Sequence, residues 1–405
     1  MEDYVDVYMK FFNDFNQSVD TTDQLPVKII VGNLRDHDII GCVIDWTQQY
    51  LSARQCPSSL IAQICKFVVT EMQVYRAVDP ENCGYQKDSN VWNPLKLMQA
   101  TIKKVIGVCQ RHKDRNSISK LSPPRDNLCL TVLSTNKNAR RTMEDKFTVI
   151  DDLHEMLNIE GYGPGSFYGV FDGHGGAEAA MYGASRLFQC LAECPQYPAR
   201  PDLALVQAFK QTDAQYVEKA KAENLQSGTT AVVAILLQEL KQLYIAWIGD
   251  TQAIISRAGG KVSQLVSPPH RPNLESEKDR IEQMGGCVLY FNGQCRVQGT
   301  LAVSRAIGDK DFKPYVCADP DVLCLDLDGS EDFLLLATDG LWEEVSELEV
   351  AREVYTHLSQ KKDKDLKDSV VSVCWYNYET PCISTLQFNN KRETLKTSYY
   401  KSYRI

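Results

Sequence analysis

The chain has 405 residues, 43% hydrophobic and 24% charged, with 44 Lys and Arg against 53 Asp and Glu, so its formal net charge is −9. This is globular composition, sized for two or three domains, and it excludes a largely disordered chain, a collagen-like fibre and a bare coiled coil. The acidic balance argues against nucleic acid as a partner, and the longest apolar run, Ala231–Leu237, falls far short of the ~20 residues that cross a bilayer, so no membrane partner is expected.

Residues 1–115 read as a helical N-terminal region. Leu60, Ile61, Ile64, Phe67, Val68 and Met72 recur at helical spacing after a start signal at Pro57-Ser58-Ser59, and Pro94 to Cys109 repeats the pattern. The opening residues, MEDYVDVYMKFF, carry no secretory signal pattern. The polar stretch 111–126 carries Pro123-Pro124 near its end, and 116–127 is expected to be a linker. From Leu128 short β-type runs alternate with helical ones. Strands are expected near 128–134, 166–172, 229–237, 243–249 and 333–337, and helices near 177–191, 203–222, 275–284, 350–358 and 366–374. Residues 243–257 read as a hairpin about Asp250-Thr251-Gln252, with a second turn at Gly259-Gly260. The mixture favours an α+β layered fold over a Rossmann type. The fourteen cysteines are scattered, with no CxxC pair and no zinc spacing. Reduced thiols in a cytoplasmic protein, with the nucleus also open to it, are the expectation.

Chemistry is concentrated in acids that directly follow apolar runs. Phe167–Phe171 leads into Asp172-Gly173-His174-Gly175-Gly176, Leu334–Thr338 into Asp339-Gly340, and Ala246–Gly249 into Asp250. Glu144-Asp145 follows Arg140-Arg141. One Asp-Gly after a strand is ordinarily a turn signal. Several at one sheet edge would repel each other until a hard cation such as Mg²⁺ or Mn²⁺ neutralised them, and a nearby Arg would suit a phosphate oxyanion. Two such ions can clamp and activate water for phosphoester hydrolysis.

Residues 128–372 resemble the metal-dependent Ser/Thr protein phosphatases of type 2C. The resemblance rests on ordered motifs: Asn138–Asp145, Phe171–Gly176, Ser227-Gly228-Thr229-Thr230-Ala231, Gly249-Asp250-Thr251-Gln252, Val297–Asp309 and Ala337–Trp342. It implies two central antiparallel sheets flanked by helices and hydrolysis of protein phosphoserine and phosphothreonine without a phosphoenzyme. Two Mg²⁺ or Mn²⁺ ions are implied, with a third at an accessory site. Asp172 would bridge the two ions, Gly173 would offer its carbonyl, Glu144 would support one ion with Asp145 in the shell around it, and Asp339 would bind the other. Asp250 would sit at the accessory site with Asp339. Arg140 would hold the substrate phosphate, and His174 would protonate the leaving Ser or Thr oxygen. The segment from Pro268 through the 275–284 helix to Gly286 resembles the family's flap beside the site. Gln252, Lys313-Pro314-Tyr315 and the helical N-terminal region resemble the branch acting on calmodulin-dependent and p21-activated kinases, which makes protein kinases the implied phosphoprotein partners.

The chain departs from the pattern at 373–405, an atypical tail. The family's closing Gly-Ser-x-Asp-Asn turn is absent after Asp339, and 361–405 carries nine Lys and Arg against five Asp and Glu. Two expectations follow. One metal would lack its usual carboxylate, with Glu379 the replacement to weigh, and a missing closing strand would leave a sheet neighbour unpaired. Because that ligand motif is missing, the alternative reading is a phosphatase-like binding protein that turns over poorly.

Overall fold

In the computed structural model the N-terminal apolar spacings become helices. The structure describes residues 3–19, 32–124, 130–137, 140–257, 260–360 and 382–388. Helix α1 (Tyr4–Ser18) starts at Asp3, whose carboxylate accepts from the Val5 N–H. α2 (Ile39–Ser52) follows. α3 (Ser58–Val78) buries Leu60, Ile64, Val68 and Met72, while Phe67 stays partly outside. The short ladder of β1 (Tyr85–Gln86) and β2 (Val91–Trp92) precedes α4 (Pro94–Arg111), capped by the Asn93 side chain at Lys96. Within the polar stretch after it, Asp114 caps the short α5 (Arg115–Ile118). Next come β3 (Leu130–Asn136), β4 (Lys146–Ile150) and α6 (Leu153–Leu157). Residues 1–126 and 150–166 form one unit. In it α6 packs on α3, and Lys66 meets Glu155 at 3.2 Å. Its thiols are dry, with burial pushing Cys109 up to about 12.

Residues 127–149 and 167–405 form the second unit. Its elements, beginning with the strand that enters it, are β5 (Gly165–His174), α7 (Glu178–Glu193), α8 (Pro201–Glu223), β6 (Gly228–Leu237), β7 (Gln242–Ile248), β8 (Gln252–Arg257) and β9 (Lys261–Gln264). α9 (Glu275–Gln283), β10 (Val288–Phe291), β11 (Gln294–Val297), β12 (Ile307–Gly308) and β13 (Asp321–Asp326) follow. The last are β14 (Glu331–Ala337), α10 (Asp339–Trp342), α11 (Glu347–Gln360) and β15 (Cys382–Phe388).

Two sheets organise this unit. One runs β13-β7-β6-β5-β4, with β12 added on β6, and the other runs β3-β15-β14-β8-β9. The pairs whose registers define them, β13 with β7, β7 with β6, and β14 with both β8 and β15, are antiparallel. Alternation along the strands builds the layers. Val232, Ala234, Ile245 and Trp247 of one sheet share a core with Ala253, Ile255, Leu334 and Leu336 of the other. The intervening Ile254, Phe333, Leu335 and Ala337 point the other way, against Val350, Ala351, Val354 and Tyr355 of α11. α7 and α8 cover the six-stranded sheet. The architecture is the expected α+β sandwich of antiparallel sheets between helices.

Two expectations change. β7 and β8 are not a hairpin: β7 pairs with β6 and β13, β8 with β14 and β9. The turn at Gly249 crosses between sheets, and Gly249 has φ +81°, where a Cβ would fall 2.5 Å from Thr230 Cβ. Period-two burial looks the same in a hairpin and in such a crossover. The hairpin on the far side of Gly260, β8 with β9, does form. Nor is the second sheet left open. Residues 382–388 insert as β15 between β14 and β3, with Ala337 opposite Ser384 and Asn136 opposite Cys382. The run Ile383-Ser384-Thr385-Leu386-Gln387-Phe388 has strand-forming residues enough without the family turn before it. The helix expected over 366–374 lies outside the described residues. No helix among the described residues is long and apolar enough to cross a membrane.

Candidate active site

The strand ends named by the sequence converge at one edge of the sandwich. β5 carries Asp172, Gly173 and His174 at its end. β14 ends at Ala337, and Thr338 then opens the short α10 that begins with Asp339. Asp250 stands in the crossover after β7, and Asp145 directly precedes β4. Asp145 and Asp250 are buried, 6% and 7% exposed.

These four acids act on each other. Burial and the charges of Asp339, Asp145 and Asp250 push Asp172 well above the usual carboxylate range, although part of its surface meets solvent. Asp172 also shares a hydrogen bond with Asp339. Burial raises Asp145 to about 7 against the hydroxyl of Thr338, which donates to Asp145 Oδ2 at 3.2 Å, and Asp339 adds to the rise. Burial and Asp339 raise Asp250 to about 6. Among the described residues no three His, Cys, Asp or Glu side chains are drawn in as a finished metal cage. The chemistry of the donor set nevertheless fits a hard divalent cation: all-oxygen ligands, anionic, buried, and mutually repelling without one.

Backbone packing brings Glu144 in. A Cβ at Gly173 would lie 2.5 Å from the Glu144 carbonyl, so only glycine lets the two chains close. The Glu144 charge reaches His174. Thr229 Oγ1 donates to the Asp172 carbonyl at 2.9 Å and ties β6 to the end of β5. Arg140 lies exposed on the preceding loop, with no described side chain ion-paired to it. Glu379 lies outside the described residues.

His174 has a partner that motif reading left without a role. Its Nε2 sits 2.9 and 3.0 Å from the two carboxylate oxygens of Asp309. Burial alone would lower the His174 pKa; the hydrogen bond and charge of Asp309 outweigh it and hold it above the ordinary histidine value. Asp309 is 3% exposed and occupies a left-handed conformation, φ +50°. Gly228 makes room for it, since a Cβ there would fall 2.2 Å from Asp309 Oδ2. The sequence signal was present, because Asp309 closes the Val297–Asp309 run. A second unassigned residue is Arg271, whose Nε donates to Asp250 Oδ2 at 3.2 Å.

Below this edge the flap is anchored by charge. Glu277 of α9, 1% exposed, accepts from Arg305 at 2.7 Å and from Arg280 at 3.0 Å. Burial opposes the charged form, yet these partners bring Glu277 down to about 2.

Comparison with known proteins agrees with this geometry. The family model described as Protein phosphatase 2C matches residues 131–377. Human protein phosphatase 1E is 36% identical over 329 residues, 80% of this chain and 42% of that protein. Human protein phosphatase 1F is 33% identical over 368 residues, 87% of this chain and 79% of that protein. The chain thus spans less than half the length of the first relative and most of the second. Among solved structures, a sex-determining protein of C. elegans superposes with a TM-score of 0.74 at 21% identity, covering 91% of this chain and 92% of that one, a likeness of fold.

Proposed function

The chain belongs to the protein phosphatase 2C family, and from that premise we propose that it hydrolyses phosphoserine and phosphothreonine in proteins, using Mg²⁺ or Mn²⁺. The observation that carries this is the meeting of Asp145, Asp172, Asp250 and Asp339 with the His174–Asp309 pair at one sheet edge. Asp172, Asp339 and the Gly173 carbonyl would hold the ions, with Glu144 and Asp145 beside them. The ions supply charge against the carboxylates and the substrate phosphate, together with activation of water. Arg140, exposed and unpaired among the described side chains, is free to fold its guanidinium over phosphate oxygens. His174, kept protonated by Asp309, delivers a proton to the departing Ser or Thr oxygen. The proton leaves from Nδ1, because Nε2 is held by the carboxylate.

The poorly active alternative rested on the missing C-terminal ligand motif, and the family match with relatives named protein phosphatases does not favour it. β15 pairs along β14 up to Ala337, two residues before Asp339. Phosphorylated protein kinases are the substrates we propose to test first, on the branch features Gln252 and Lys313-Pro314-Tyr315.

The deciding experiment is hydrolysis of a phosphothreonine peptide by the full chain over a Mn²⁺ titration, beside Asp172→Asn and Asp339→Asn. Metal-dependent turnover lost in both variants is expected. Turnover that ignores chelator, or survives both substitutions, would overturn the reading.

A further inference from the structure

The four clustered acids are not equivalent. Among the described residues, Asp250 alone of the four carries an ion pair. Its partner Arg271 also reaches toward Glu343, 3.8 Å from its Nη2. Among the described residues no ion pair is formed by Asp145, Asp172 or Asp339; the one positive charge that acts on the group is Lys146, beside Asp145, whose ammonium donates to the Met143 and Asp145 carbonyls.

Arg271 is placed there by its backbone, not by the chance reach of a long side chain. Its neighbour His270 donates its N–H to the Gly249 carbonyl at 2.8 Å, and the Gly249 N–H returns to His270 Nδ1 at 3.3 Å. The His270 carbonyl accepts from the Ser304 N–H at 3.1 Å, and the ring stacks on Trp247 of β7. The segment that carries Arg271 is therefore tied through His270 to the crossover that carries Asp250 and to the Ser304 loop. A guanidinium fixed beside a buried carboxylate neutralises it without stripping water from a divalent ion.

We propose that Arg271 is a built-in cation that takes the neutralising part an accessory divalent ion would otherwise play at Asp250, so that the chain holds two divalent ions and not three. This rests on the metal-dependent phosphatase reading above. Divalent ions then go to Asp172 and Asp339, which carry no ion pair among the described residues, and an ion approaching Asp250 must first displace the guanidinium.

The test is equilibrium Mn²⁺ binding to metal-free full chain, with free Mn²⁺ followed by electron paramagnetic resonance. Wild type is expected to bind two Mn²⁺ up to millimolar concentration, and Asp250→Asn to keep both. Arg271→Gln is expected to gain a third Mn²⁺ with affinity raised about tenfold or more, the order expected when a positive charge a few ångströms away is removed. That gain should vanish in the Arg271→Gln/Asp250→Asn double variant, while Arg271→Lys stays near wild type. Two tightly bound ions with no third gained in Arg271→Gln would overturn the proposal and leave the phosphatase reading intact. So would a wild-type chain that already binds three and loses one in Asp250→Asn, a comparison that does not require the Arg271 variant to fold. Absence of any Mn²⁺ binding by wild type would sink both readings together.

Discussion

Two sets of buried carboxylates in the second unit are treated in opposite ways. At the flap, Glu277 is enclosed by Arg305 and Arg280 and sits far below its ordinary pKa, near 2. At the strand ends, Asp145, Asp172 and Asp250 are pushed up. Both regions take charge out of water, and only one supplies its full complement of partners from the chain. A buried acid with two arginines is a structural rivet. A group of buried acids with one arginine among them stores repulsion that an external cation can relieve.

Substitution should separate the two most sharply. Asp172→Asn or Asp339→Asn is expected to lower phosphopeptide turnover by about a thousandfold or more, the scale seen when charge stabilisation at a reacting centre is lost. The metal-free variant should unfold at a temperature equal to or above wild type, because a repelling charge is gone. Loss of both activity and metal-free stability would erase the contrast. Glu277→Gln should do the reverse and cost about 3 kcal/mol at pH 7, measured by urea unfolding, since two guanidinium groups lose their counter-charge. Its sign with pH follows from a folded pKa near 2 against 4.5 for the free group. The stabilisation is present above pH 4.5 and is lost as pH falls toward 2, so the gap between variant and wild type should close on acidification.

The acidic cluster should run the other way. Asp145 at about 7 and Asp250 at about 6 lie above the ordinary 3.8. Their favourable contribution is complete below pH 3.8 and disappears as pH rises through 6 to 7. Metal-free chain should therefore lose stability between about pH 4 and 7, as read by calorimetry. Saturating Mn²⁺ should remove the slope and add about 2.7 kcal/mol at a hundredfold excess over Kd. A metal-free chain that gains stability across that window would break the account. The smallest effect is expected at Asp309→Asn, which keeps shape and removes charge. A drop in kcat of about tenfold with little change in KM is expected for a residue acting through His174. A change confined to KM would reassign Asp309 to substrate binding.

The sequence was most legible where one strand carries both a hydrophobic signal and a catalytic acid. β5, β6 and β14 lie within a few residues of the expected runs, and Asp172 and Asp339 stand at their ends. Burial on both faces makes such strands continuous apolar runs that no helix of that length would imitate. The exposed ladder β10–β11 and the edge strand β13 left no comparable trace, since half-exposed strands carry mixed residues. Which sheet β8 joins was also not legible: pairing is a long-range choice, and alternation records only that both faces are covered. Asp309 and Arg271 went unassigned for a related reason. Each acts on a residue far away in sequence, 135 positions for His174–Asp309 and 21 for Arg271–Asp250, and no local pattern encodes such a meeting. β15 carries a β-prone run but lacks the family turn that ordinarily announces the closing strand, so its place in the sheet had no local marker.

The placement of that strand bears on how the protein is made. Among the described residues β3 pairs with β15 alone, and their residues lie about 250 positions apart. On a ribosome adding about 5–20 residues per second, β3 waits on the order of tens of seconds with both edges open while everything between is synthesised. For that interval Leu130–Asn136 is an unguarded template for any extended chain nearby. The nascent protein is therefore expected to lean on chaperones more than the finished one, and ribosome-bound chains halted before residue 382 should be captured by a holdase that releases them once the strand has emerged.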